Sequence, residues 1–168
     1  MSPLLERASE TLKIEIAGLE GLIERLDAEF EQAVNLLFAC QGKVILAGMG
    51  KSGLIAQKIA ATLTSTGTPS LFLHAGESSH GDLGIITRQD VVIVFSYSGE
   101  TSEVVQMIGH IHAIGVPLIA MTGKPNSTLA KAATVHLSIA VEKEACPLGL
   151  TPTASSTATL ALGDALAM

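Results

Sequence analysis

The chain has 168 residues, of which 48% are hydrophobic and 15% charged. That length suits one domain burying roughly 70% of its unfolded surface, and the composition excludes a disordered chain. A net charge of −6, no basic block, four Phe, one Tyr and no Trp exclude a phosphate-backbone and base-stacking partner, so no nucleic-acid partner is expected. No run of 18 apolar residues exists, so no membrane partner is expected either. Glu6, Arg7, Glu10 and Lys13 occupy the place where a secretory signal needs an apolar run. Two cysteines, Cys40 and Cys146, form neither a disulfide framework nor a metal spacing, and a reducing cytoplasm is the expected compartment.

From Pro3 to Gln41 apolar residues recur at steps mostly of three and four, from Leu5 and Ala8 through Leu12, Ile16 and Leu19 to Leu26 and Phe30. This is a helical stripe, either one bent helix or two. It packs on its own domain or serves as an arm against another subunit. From Lys43 the pattern changes to short, continuous apolar runs: Val44 to Ala47, Leu71 to Leu73, Val91 to Phe95, Leu118 to Met121 and Val135 to Ile139. Such runs suit strands buried on both faces of a parallel sheet. Helical segments alternate with them over Ser52 to Thr66, Glu100 to Ile114, Ser127 to Ala132 and Thr153 to the end. The expected fold is therefore α/β, a three-layer doubly wound sheet of five parallel strands with an N-terminal helical arm. The expected organisation is a helical segment over 1–41 and a sheet domain over 42–168. The apolar, unstopped last helix predicts that the chain is part of a longer polypeptide. Ligands of such sheets bind beyond the carboxyl ends of the strands.

The first strand ends in Gly48-Met-Gly50-Lys51-Ser52-Gly53. Glycines there let backbone approach a ligand, and a helix start favours an anion. The dinucleotide fingerprint is incomplete, because its acidic partner arrives only as Glu77 in a loop. A nucleotide P-loop is excluded, because Ile45 stands where its first glycine belongs. A tight strand–helix turn alone leaves Lys51 unexplained. After the second strand, His74, Glu77, His80 and Asp82 cluster, as a polar capping loop or as groups near a ligand. After the third strand, Ser96, Ser98 and Thr101 present three hydroxyls at one helix start, where plain capping needs one. A tetrahedral phosphate fits that cradle. After the fifth strand, Glu144 sits beside Ala145, Pro147 and Leu148, and burial there raises its expected pKa into the range of a general base. Cys146 reads as a small buried hydrophobe, His136 as structural, and His110 and His112 as surface residues.

Together these motifs resemble the sugar isomerase (SIS) domain. Ser96-Tyr-Ser-Gly-Glu-Thr101 is similar to the family's Ser-x-Ser-Gly-x-Thr phosphate signature. Gly48 to Gly53, Ser65-Thr-Gly-Thr-Pro69, His80-Gly-Asp-Leu-Gly84, Glu144-Ala-Cys-Pro-Leu-Gly149 and the stretch from Pro152 to Asp164 resemble the arabinose-5-phosphate isomerases of the Kdo pathway. The resemblance implies a flavodoxin-like SIS fold and interconversion of D-arabinose 5-phosphate and D-ribulose 5-phosphate, feeding lipopolysaccharide synthesis. It implies phosphate binding by Ser52, Ser96, Ser98 and Thr101, with Gly48 and Gly50 in the substrate loop. Lys51, His80, Glu103 and Glu144 line the sugar site, with Glu144 as base at carbon and His80 as acid and base at oxygen. Lys51 stabilises the enediolate and Glu103 orients the sugar or His80. No cofactor and no metal are implied, since the reaction moves a proton. A sugar phosphate and a homotetramer are the implied partners. The resemblance implies that many full-length members carry a CBS pair and a His-Pro-Gly-Gly-like segment, and neither stands in this sequence. The rival readings are an SIS isomerase of another ketose phosphate and a non-catalytic sugar-phosphate-binding regulator.

Overall fold

The computed structural model describes residues 2–168, apart from the side chains of Ser79 and His80. The N-terminal stripe folds as two helices, α1 (Pro3–Glu24) and α2 (Ala28–Phe38). The break comes at Asp27, whose carboxylate accepts the Glu29 N–H at 2.9 Å and so caps a new helix start. Gly18 and Leu22 of α1 are buried, while Leu5, Leu12, Ile16 and Ile23 face outward. The arm thus packs on its own chain along one face and leaves the other bare.

Five strands follow: β1 (Val44–Gly48), β2 (Ser70–His74), β3 (Val91–Phe95), β4 (Leu118–Thr122) and β5 (Val135–Ser138). They are all parallel, in the order β2-β1-β3-β4-β5. Between them lie α3 (Gly50–Ser65), α4 (Ser102–Ile114) and α5 (Thr128–Ala132), with α6 (Ala154–Ala167) last. Alternate side chains of β1 to β4 feed two cores, whereas the edge strand β5 feeds only one, through Val135 and Leu137. Val44, Leu46, Ile93 and Phe95 meet α2, α3 and α6 through Leu37, Ile59, Leu63 and Leu162. Ile45, Ala47, Val92 and Val94 meet α4 and α5 through Met107, Ile111 and Leu129. Each fully buried Ile or Leu contributes about 1.5–3 kcal/mol. The chain reverses its winding between β1 and β3, which makes the cleft above them the switch point of the sheet. Register sharpens this: Gly48 lies level with His74 on one side and Phe95 on the other, so three loops leave the sheet at one height.

Two helix starts differ from the sequence expectation. α3 begins at Gly50, two residues early, because Gly50 at φ +56° turns the chain straight into the helix. α4 begins at Ser102, two residues late, because Gly99 at φ +66° keeps the loop outside the helix. The polar loop after β2 is not irregular either. It forms two short 3₁₀ turns, Ala75–His80 and Asp82–Ile85, hinged at Gly81.

Candidate active site

The turn from β1 into α3 is forced by close backbone approach. A Cβ on Gly53 would lie 3.0 Å from the Gly48 carbonyl oxygen, and one on Gly48 would lie 3.1 Å from the Gly53 nitrogen. Only paired glycines let the helix start so near the strand end. Met49, the N-cap residue, makes no side-chain cap bond, so the first N–H groups of α3 stay open to a ligand.

The loop after β3 is built from its hydroxyls. Buried Ser96 Oγ lies 2.9 Å from Thr101 Oγ1 and 3.5 Å from Ser98 Oγ, and it accepts the Gly99 N–H at 3.1 Å. Ser98 Oγ accepts the Glu100 N–H at 3.2 Å. Thr101 is the N-cap of α4 yet makes no side-chain cap bond, so plain capping does not explain these residues. The loop is pinned to the start of α5. Glu100 Oε1 accepts the Thr128 N–H at 2.7 Å, and the Gly99 carbonyl accepts the Leu129 N–H at 3.1 Å. The fit is so close that a Cβ on Gly99 would collide with Ser127 Oγ.

Across the cleft, Glu144 stands at the head of the segment that leads into α6. Its Oε2 accepts the Thr153 N–H at 2.7 Å, the Thr153 hydroxyl at 2.9 Å and the Ser155 N–H at 3.3 Å. Burial pushes this carboxyl up, but the donors of Ser155 and Thr153 outweigh it and hold it below the usual glutamate value. The raised pKa expected from the sequence is therefore corrected. Apolar neighbours were legible, whereas donors nine and eleven residues further on were not.

One cavity of about 460 Å³ gathers these parts. Its lining includes Gly50, Ser52, Ser96, Ser98, Thr101 and Glu144. Glu144 is the only charged side chain among the described lining residues. Lys51 does not line it. It faces an adjoining hollow of about 490 Å³ with Phe72 and His74, and the two openings meet at Gly50. Gly48 lies behind the turn, and Glu103 lines neither opening. The Glu103 carboxyl is held low by the Ser102 hydroxyl first and, further off, by His74. The side chain of His80 lies outside the described residues, so the role expected of it does too. Among the described residues, no three His, Cys, Asp or Glu side chains group as metal ligands.

Sequence reasoning missed Tyr97, which lines the cavity and whose hydroxyl accepts the Val141 N–H at 3.3 Å, tying the serine loop to the exit of β5. It missed Thr153 and Ser155 as well; the only signal was their place in an uncharged, hydroxyl-rich stretch. Cys146 is also corrected. It is half-exposed, not buried, and the N–H groups of Thr151, Leu150 and Leu148 bring its thiol down to about 7. It does not line the cavity. His136 is structural as expected, with Nε2 at 2.9 Å from Thr122 Oγ1.

A family model described as the SIS domain matches residues 37–168. Arabinose 5-phosphate isomerase KdsD of Salmonella typhi is 53% identical over 163 residues, which is 97% of this chain and 50% of that protein. The protein of the same name from Pseudomonas aeruginosa is 51% identical over 164 residues, covering 98% of this chain and 50% of its own length. The chain thus spans about half the length of the curated relatives it matches. A solved E. coli CFT073 protein, in complex with arabinose 5-phosphate, superposes with a TM-score of 0.94 at 42% identity, over 99% of this chain and 90% of that one.

Proposed function

This chain belongs to the SIS-domain family, and on that premise we propose that it carries the active site of an arabinose-5-phosphate isomerase. It interconverts D-arabinose 5-phosphate and D-ribulose 5-phosphate for Kdo and lipopolysaccharide synthesis in the cytoplasm. The observation that carries this reading is the single cavity with hydroxyls of Ser52, Ser96, Ser98 and Thr101 on one side and Glu144 on the other. The names of the relatives support it.

The phosphate sits on the hydroxyls and on the open N–H groups of α3, where neutral donors and the helix dipole accept a dianion. The sugar then extends toward Glu144. In the open-chain aldose, Glu144 takes the C2 proton, the C–H electrons form the C1–C2 double bond, and the C1=O π pair moves onto O1, giving an enediolate. Returning that proton to C1, while a proton moves from O2 to O1, gives the ketose. No electron leaves the substrate, so only acid, base and charge stabilisation are required. His80 moves the proton between oxygens, Lys51 offsets the oxyanion charge from its adjoining hollow, and Glu103 orients the sugar or His80. Glu144 is ionised at neutral pH before substrate arrives. Substrate filling the cavity displaces water and makes the carboxylate more basic.

The arm of α1 supports assembly as a homotetramer through its outward stripe of Leu5, Leu12, Ile16 and Ile23. The test of function is isomerisation of arabinose 5-phosphate in deuterated water. Ribulose 5-phosphate carrying deuterium at C1 is the expected result. Tight binding of arabinose 5-phosphate without turnover or exchange would make this chain a sensor instead. Binding of NAD or ATP with no pentose phosphate binding would remove both readings.

A further inference from the structure

Thr153 stands at the N-cap of α6, where a threonine ordinarily turns its hydroxyl onto the helix's own second or third N–H. It makes no such bond. The Ser155 N–H, which that hydroxyl would have satisfied, donates to Glu144 Oε2 instead, so a remote carboxylate caps the helix. The Thr153 hydroxyl is thereby released for another task. It accepts the Ala145 N–H at 2.8 Å, and its single proton goes to Glu144 Oε2 at 2.9 Å. The Thr153 N–H joins it on the same oxygen at 2.7 Å. The hydrogen bonds resolved to this carboxylate, two from Thr153 and one from Ser155, all fall on Oε2.

We propose that Thr153 is a positioning residue for the isomerisation: it grips Oε2 of Glu144 from two atoms and so presents Oε1 to the substrate carbon. The proton-transfer part rests on the isomerase reading above, whereas the grip does not. Two donors from one residue fix both the place and the rotation of the carboxylate plane, as a reacting base requires. The same pair closes the segment 144–153, whose Gly149, Leu150 and Pro152 line the cavity wall, so holding the base and shaping the wall are one act. Of the charged groups on the elements packed against this segment, Lys58 of α3 pairs with Asp164 of α6. Arg7 of α1 pairs with Glu10 and donates to the Ala145 carbonyl, and Glu15 accepts the Thr157 hydroxyl. Glu10 and Lys13 of α1 border a separate hollow with Glu142 and Lys143, and the Cys146 thiol meets the N–H groups of its own turn.

The test uses Thr153→Val, which keeps shape and loses the hydroxyl, and Thr153→Ser, which keeps the hydroxyl. The Glu144 carboxyl is titrated by carbon NMR in the ligand-free protein, with its resonance assigned through Glu144→Gln. Thr153→Val raises the midpoint by about one pH unit, and Thr153→Ser restores it. With arabinose 5-phosphate, Thr153→Val lowers kcat about tenfold with KM within about twofold, and its acid limb moves up with the midpoint. In the unsubstituted protein the Thr153 amide proton reports the same midpoint, which tests the grip even if a variant fails to fold. A purely structural Thr153 lowers stability and leaves the Glu144 midpoint in place, and that outcome overturns the proposal. An unmoved kcat in Thr153→Val beside an active parent overturns it too. A parent that titrates as expected but does not turn over arabinose 5-phosphate defeats the isomerase reading and leaves the grip standing.

Discussion

Ser96→Ala and Ser98→Ala lie two residues apart in one loop and should behave differently. Ser96 is buried, and its oxygen organises the loop, reaching Thr101 Oγ1, the Gly99 N–H and Ser98 Oγ. Ser98 is exposed, accepts the Glu100 N–H and touches Ser96 Oγ only at 3.5 Å. Removing Ser96 Oγ leaves the Gly99 N–H a second acceptor, the Ser96 carbonyl at 3.0 Å, but frees the Thr101 hydroxyl to rotate. The folded protein then loses about 1 kcal/mol, the net value of one such bond. The phosphate loses a charge-assisted bond, about 1.5–3 kcal/mol, together with the set direction of Thr101. At 1.4 kcal/mol per factor of ten, Kd for arabinose 5-phosphate rises by about 10- to 100-fold. Ser98→Ala gives a comparable loss of binding with stability unchanged to within about 0.5 kcal/mol. Calorimetric titration and urea unfolding on both variants are the assays. If Ser96→Ala binds arabinose 5-phosphate as the parent does, the hydroxyls are a folded-loop device and the phosphate sits elsewhere.

Glu144→Gln should lower kcat by about 10²- to 10⁴-fold with little change in KM, read by steady-state kinetics and by loss of solvent deuterium uptake. Asp90 is buried and, despite the upward push of burial, is held below the usual aspartate value by the N–H groups of Lys43 and Thr87 and by the Lys43 ammonium at 3.0 Å. Because its folded-state pKa is depressed, its contribution is full above the unfolded value and is lost as pH falls through the folded one. Asp90→Asn should therefore destabilise by about 1–3 kcal/mol at neutral pH, and urea midpoints of parent and variant should converge in acid. Gly163→Ala drives a Cβ into Ile59 Cδ1 inside the α3–α6 contact. Overpacking of about 1–3 kcal/mol exceeds the gain of about 1 kcal/mol in helix propensity, so Tm should fall in thermal unfolding.

The three central strands β1, β3 and β4 were readable because they are buried on both faces, so a run such as Val91 to Phe95 carries no other periodicity, whereas the edge strands β2 and β5 are only partly buried. Helix starts were less so. At Gly50 and Gly99 the backbone turns through positive φ, and composition does not say whether a glycine opens a helix or holds a loop off it. The serine cradle was legible because its members lie within six residues of each other on one loop. Glu144 was legible as a site residue but not in its electrostatics, since its donors come from Thr153 and Ser155 across a folded-back segment. The separation of Lys51 from the serine cavity was hidden as well. It depends on which way successive residues of the first turn of α3 face, and Ser52 faces the cleft while Lys51 faces Phe72 and His74.

That division of charge bears on how a sugar phosphate is oriented. The protein is acidic overall, and the serine side of the cavity carries no charged side chain among the described residues. In the proposed function neutral hydroxyls and backbone N–H groups would hold a dianion there with no ammonium to neutralise it. The one charge in the cavity among the described residues, Glu144, is negative and is bound to the opposite wall. A phosphate placed next to it would bring two anions together in a partly dry cleft, at a Coulombic cost of about 4 kcal/mol at roughly 4 Å and an effective dielectric of about 20. On the proposed function, the same repulsion that bars the reversed pose would drive the non-phosphorylated end of the sugar toward Glu144. In a pentose 5-phosphate that end is C1 and C2, the two carbons between which the proton must move. Lys51 lies outside the serine cavity, whose neighbouring hollow meets it at Gly50, and in the proposed function it would meet negative charge as it develops on the enediolate oxygens, not the charge already present on the phosphate. An interaction of that kind favours the transition state over the bound substrate, so its loss should appear in kcat.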